Sequence, residues 1–179
     1  REQSERMAQM IDKLLALAAV EHRQRIEQPT DIDVRTLIDA AVAPFADGGV
    51  ELQVDSGDAV NLRIRGDAFL LRQLLSNLVD NACDFSPADG VVDVVAHSDG
   101  AQLRIVVADR GPGVPDYALP RVFERFFSLP RPGGRSRSSG LGLAFAAEVA
   151  ALHGGTVRLE HREGGGTRAI VELPLPTTG

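Results

Sequence analysis

Asn77, Asn81 and Asp84 are spaced four and three apart, so they project from one face of a helix, opposite most of its leucines. They can be solvated surface. Asparagine, however, is a mediocre helix former and offers a wet face nothing that glutamate or lysine would not do better. Two neutral oxygen donors one turn apart suit a magnesium ion whose other ligands are phosphate oxygens and waters. Asp109-Arg-Gly111-Pro-Gly113 follows an apolar run. Its glycines let backbone approach a flat ligand, and an aspartate at a strand end can accept from an exocyclic amine. A plain turn explains the same letters. Ser139-Gly140-Leu141-Gly142-Leu143 opens a helix, where free amides and the positive end of the dipole favour an anion; a flexible hinge shares its glycines. Gly164-Gly165-Gly166-Thr167 reads as a hairpin turn that lets two strands meet.

The elements that hold these residues follow from periodicity. Residues 3–26 read as a helix with a narrow apolar seam through Met7, Met10, Ile11, Leu14 and Leu17, which either docks on the rest of the chain or pairs with a helix of another chain. Pro29 marks a boundary after it. A short strand at 32–34 and a helix from Arg35 to Ala43 come next, and 50–54 and 60–64 alternate like two paired strands. Asp67 caps a long helix that ends at Ser86-Pro87. Residues 91–96 and 103–108 form an antiparallel pair. Residues 110–140 read as loop, with five of the ten prolines and six arginines, and a loop of that length inside a domain is a lid or is disordered. A helix over 141–152 and strands over 156–160 and 167–173 complete the chain. The expected class is α+β, a two-layer sandwich of a mixed, mostly antiparallel sheet covered by helices on one face, preceded by a lone amphipathic helix.

Composition agrees with a soluble piece: 179 residues, net charge −6, 44% hydrophobic. Cys83 is the only cysteine, which excludes a disulfide framework. Apolar runs fall short of a membrane span, and the amino terminus is charged rather than signal-like. The acidic balance makes nucleic acid an unattractive partner, although 18 of the 19 basic residues are arginine, which suits phosphate.

In order, "NLVDNACDFSP", "DRGPGVP", "RVFERFF", "SGLGLAFAAEVAALHGG" and "GGGTRAIVELP" resemble the asparagine, glycine and phenylalanine boxes and the closing strand of the ATP-binding catalytic domain of sensor histidine kinases. The resemblance covers about residues 30–175, and "RFFSLPRPGG" is similar to the CreC-type sensor kinases. It implies ATP and Mg2+ as ligands, with Asn81 on the metal and Asn77 as a second polar contact. Phe85 would lie beside the adenine and Asp109 would accept from the adenine amine, with Gly111 and Gly113 shaping the base pocket and Thr167 behind it. Gly140, Leu141 and Gly142 would bring helix-start amides to the phosphates, and Phe123 and Phe126 would anchor a lid over about 114–139. The family usually has lysine or arginine three residues after the metal asparagine; here that residue is Asp84, so Arg135 and Arg137 are expected to meet the phosphate charge.

Relatives of this fold that hydrolyse ATP commonly place a glutamate base four residues before the metal asparagine. Asn77 stands there, and an amide takes no proton, so transfer to a histidine is expected over hydrolysis. None of His22, His97, His153 and His161 has the family's phosphoacceptor context. The resemblance therefore implies that 1–28 is the second helix of a truncated dimerisation hairpin whose first helix would carry the histidine, and 29–179 the catalytic domain. It further implies a homodimeric full-length kinase, a response regulator as partner, and a cytoplasmic position below an inner-membrane sensor. An ATPase of the same fold and a degenerate nucleotide-binding scaffold are the alternatives.

Overall fold

Asp67 starts the helix on which the rest is arranged. The structure is a computed structural model that describes residues 2–134 and 138–176. In it the Asp67 carboxylate accepts from the Leu70 amide at 3.0 Å and opens α3, Ala68–Phe85. Leu71, Leu74, Leu75 and Leu78 recur along one side of α3 and are buried, which leaves Asn77, Asn81 and Asp84 on the less buried side. Pro87 cannot donate to a further turn, and the helix stops before Ser86.

The other helices are α1 (Glu2–Glu21), α2 (Val34–Val42) and α4 (Gly142–Leu152). The strands are β1 (Thr30–Asp33), β2 (Glu51–Asp55), β3 (Arg63–Gly66), β4 (Val91–Ser98), β5 (Gln102–Ala108), β6 (Thr156–His161) and β7 (Thr167–Pro174). Five strands make one sheet in the order β2-β4-β5-β7-β6, parallel only between β2 and β4. Alternation sends Val92, Val94, Ala96, Leu103, Ile105 and Val107 to the helix-covered face. There they meet α2, α3 and α4 in one core, and Val106, Ala108 and Ile170 form a small cluster of their own. The expected α+β two-layer class is what the chain adopts.

Three local expectations change. The strand pattern at 50–54 and 60–64 does not mark a mutual pair: β2 lies parallel to β4, and β3 pairs with β1 in a separate two-stranded sheet. A 3-10 segment over Gly57–Asn61 turns the chain between them and buries Ala59, and period two announces a strand without naming its neighbour. The first helix ends at Glu21, not 26, because the residues that would continue its seam are polar and give it nothing to pack. That helix is also not lone. Its last turns bury Leu17 and Val20 against α4, while Met7, Met10, Ile11, Leu14 and Leu15 stay exposed. Docking on the chain and an open seam therefore coexist along one helix. No helix among the described residues is long and apolar enough to cross a membrane.

His153 joins α4 to α3. Its Nδ1 donates to the Val149 carbonyl at 2.7 Å, and its Nε2 accepts from the Asp67 amide at 3.0 Å, an arrangement that only the neutral ring satisfies. Burial holds its pKa below the ordinary 6.5, against the pull of the Val149 carbonyl and of Asp67. Above pH 6.5 both folded and unfolded chains carry a neutral ring; below it the unfolded chain takes up the proton first, so stability falls as pH falls. Urea unfolding at pH 7.5, 6.5 and 5.5 is expected to show that fall, with a shallower slope in His153→Gln.

Candidate functional site

One cleft lies where α3, the β5 end, the described part of the loop between β5 and α4, and the start of α4 meet. Asn77, Asn81 and Phe85 from α3 line it together with Asp109, Gly113, Gly140, Gly142 and Thr167. Asp109 is 5% exposed at the end of β5. Its Oδ1 accepts from the Gly111 amide at 2.8 Å and the Thr167 amide at 3.3 Å, and Oδ2 accepts from none of the described residues. Burial pushes its carboxyl above the usual range, while those two amides and Arg162 oppose the shift. A mostly buried carboxylate with one oxygen left to accept, on a residue that lines a cleft, is a place for a ligand's N–H.

Glycines let three backbones converge on this aspartate. A Cβ on Gly111 would come within 2.3 Å of the Phe85 carbonyl oxygen, and one on Gly166 within 2.1 Å of the Asp109 carbonyl oxygen. Outside them, Asp93 holds Arg110 at 3.5 Å and Arg162 at 3.2 Å, pinning the residue after Asp109 to the β6–β7 turn.

At the other end of the cleft α4 begins without a side-chain cap, leaving its first amides free of intrahelical partners. Gly142 lies against Asn77, whose Oδ1 is 3.6 Å from where a Cβ would be. Gly140 has φ +69° and accepts from the Phe126 amide at 2.9 Å, tying the loop at Phe126 to the helix start. Uncapped amides beside two asparagine carboxamides can receive phosphate oxygens and a hard cation together. No three His, Cys, Asp or Glu among the described residues converge as a metal site.

Residues 66–177 match the family described as histidine kinase-, DNA gyrase B- and HSP90-like ATPase. The chain belongs to this family. Within it, the chain is similar to the sensor protein CreC of Escherichia coli, 40% identical over 96% of this chain and 36% of that protein. It is also similar to the sensor-like histidine kinase SenX3 of Mycobacterium tuberculosis, 35% identical over 96% of this chain and 43% of that protein. It thus spans between about a third and a half of the length of these relatives. Among solved structures it resembles the mycobacterial sensor histidine kinase MprB, with TM-score 0.70, 30% identity and coverage of 84% of this chain and 98% of that one. Full-length ShkA in complex with AMPPNP aligns with TM-score 0.81 and 28% identity, over 100% of this chain and 38% of that one. These likenesses identify the chain as the ATP-binding catalytic core of the sensor histidine kinase type.

In this histidine-kinase domain most of the residues singled out in the sequence converge on the cleft. Leu141 and Gly111 do not line it: the Leu141 side chain is 1% exposed and belongs to the core, and Gly111 lies against the Phe85 carbonyl. Phe126 is no anchor, being 57% exposed with φ +63°; the buried residue of that run is Val122, and Phe127 lines the cleft with Arg121 4.7 Å over its ring. Arg135 and Arg137 lie outside the described residues. Two cationic residues of the cleft lie outside the sequence expectation. Lys13, the chain's only lysine, reaches the cleft from α1, and Arg131 reaches it from the loop between β5 and α4. Lys13 lies off the apolar seam, so nothing in the helix pattern marks it. Arg131 had a signal in Asp84, since an acid beside an expected anion site needs a cation next to it.

Proposed function

We propose that the chain is a protein-histidine kinase core that binds Mg-ATP in this cleft and transfers the γ-phosphate to a histidine other than His22, His97, His153 and His161. The observation that carries the reading is Asp109: a buried carboxylate with one oxygen held by two amides and the other open to the cleft, suited to the exocyclic amine of adenine. Phe85 stands on one side of that position, Gly111 and Gly113 let the backbone come close, and Thr167 closes the back. The triphosphate then runs toward Asn77, Asn81 and the amides of Gly140, Leu141 and Gly142. Bound magnesium would neutralise phosphate charge and orient the γ-phosphoryl group, held by Asn81 with Asn77 beside it. The chain's own part is to position that group and to keep water from competing with the acceptor.

Asn77 also favours transfer over hydrolysis. An amide one turn before Asn81 cannot deprotonate a water, so a folded domain that binds ATP is expected to release phosphate slowly. Residues 1–28 serve as the second helix of the dimerisation hairpin, a reading supported by the exposed Met7, Met10, Ile11 and Leu14 along α1. The apolar seam would then pack against the histidine-bearing helix of a homodimer, and a response regulator would receive the phosphoryl group. In the full-length protein this core would lie on the cytoplasmic side of an inner-membrane sensor.

The test is phosphotransfer in trans to a separately supplied histidine-bearing hairpin. Acid-labile phosphate on the hairpin, dependent on magnesium and reduced by at least a hundredfold in Asn81→Ala, is the expected result. Phosphate release without hairpin labelling would favour an ATPase. Binding with neither would favour a nucleotide-binding scaffold.

A further inference from the structure

We propose that Arg131, held at the cleft wall by Asp84, is the phosphate-recognising cation of this domain. Asp84 follows Asn81 by one turn on the same side of α3, and its Oδ2 lies 2.5 Å from Arg131 Nη2. Both side chains are well shielded, at 12% exposure for Arg131 and 22% for Asp84, a degree that only Arg162–Asp93, at 24% and 23%, approaches among the ion pairs of the described residues. The guanidinium sits 5.9 Å from the centre of the Phe85 ring. An arginine so placed is ordered before any ligand arrives, and its planar fork can hold a carboxylate at one edge and phosphate oxygens at another.

Charge makes the assignment specific. Among the described residues lining the cleft, Lys13 and Arg131 are the cations, against the acids Asp80 and Asp109. Lys13 is solvent-exposed on α1, so the shielded charge that can meet a polyphosphate comes from Arg131. An aspartate alone at position 84 would repel phosphate; paired, it positions the lid arginine and makes nucleotide affinity depend on the lid. A second ion pair, Arg125 to Glu21, ties the same lid to the end of α1.

The inference rests on the ATP reading of the cleft, and the experiment separates the two. Binding of AMPPNP with magnesium, and of adenosine, is measured on the full chain by calorimetry and by chemical-shift titration. The variants are Arg131→Ala and the double variant Asp84→Lys/Arg131→Ala. Expected are an AMPPNP affinity at least tenfold weaker in Arg131→Ala, adenosine affinity changed less than twofold, and recovery of AMPPNP binding to within threefold of wild type in the double variant. Lysine at 84 restores a cation but no ion pair, so recovery is not what a purely structural latch would give. Unchanged AMPPNP binding in Arg131→Ala, equal losses for both ligands, or no recovery in the double variant overturns the assignment while leaving the ATP reading standing. A wild type that binds neither ligand overturns both.

Discussion

Replacing Asp109 by asparagine is expected to weaken ATP binding by roughly 10- to 100-fold while the domain stays folded, the range that loss of one hydrogen bond to a charged group represents. The amide keeps an oxygen for the Gly111 and Thr167 amides, which Oδ1 of Asp109 now serves. It places an NH2 group where Oδ2 was, so a donor faces the adenine amine and the bond is replaced by a clash of like groups. Stability is expected to hold or rise, because burial already disfavours the ionised carboxyl and the amide removes that cost. Calorimetry with AMPPNP, paired with thermal unfolding, checks both halves. Unchanged affinity in a folded variant would mean that Asp109 braces the loop and touches no ligand.

Gly166→Ala should be among the most damaging single-methyl additions near the site. Gly166 has φ +103°, and a Cβ there would lie 2.1 Å from the Asp109 carbonyl oxygen and 3.0 Å from Arg110 Cα. The backbone would have to leave a conformation that L side chains rarely adopt and also separate two chain segments. Together these are expected to cost about 3 kcal/mol. For a domain of this size that is roughly 6–12 °C in Tm. The contact links the β6–β7 turn to Asp109, so nucleotide affinity should fall with stability. Gly164→Ala is the control, since no atom lies within 4 Å of its would-be Cβ, although its φ of +83° carries a strain of its own. Equal losses in the two variants would assign the whole effect to backbone strain and none to the close approach.

What the sequence discloses about this fold tracks local physics. Asp67 as a cap, the leucine face of α3 and the antiparallel β4–β5 pair, whose turn is Ser98-Asp99-Gly100, are each decided by residues a few positions apart, and the cap, the face and the pair are found as read. In that turn the Asp99 carboxylate accepts from the Ala101 and Gln102 amides at 3.1 and 2.9 Å, a contact within four residues. The partner of β2 depended on a segment some forty residues away, which no periodicity encodes. The site divides in the same way. Asn77 and Asn81 owe their alignment to one helix, and Asp109 and Gly113 to one strand end. Lys13 and Arg131 enter the cleft only because α1 docks on α4 and the loop after β5 brings Arg131 to Asp84 of α3. The lid has no repeat that would tell its arginines apart, so choosing Arg131 required the place of Asp84 in space.

The central claim, that the Asn77–Asn81–Asp109 cleft is a magnesium-dependent ATP site, is tested most directly by titrating the folded chain with AMPPNP in a calorimeter, with and without magnesium. The account predicts micromolar or tighter binding with magnesium and at least tenfold weaker binding without it. A folded chain that binds no AMPPNP under either condition, or binds it equally well in both, would contradict it.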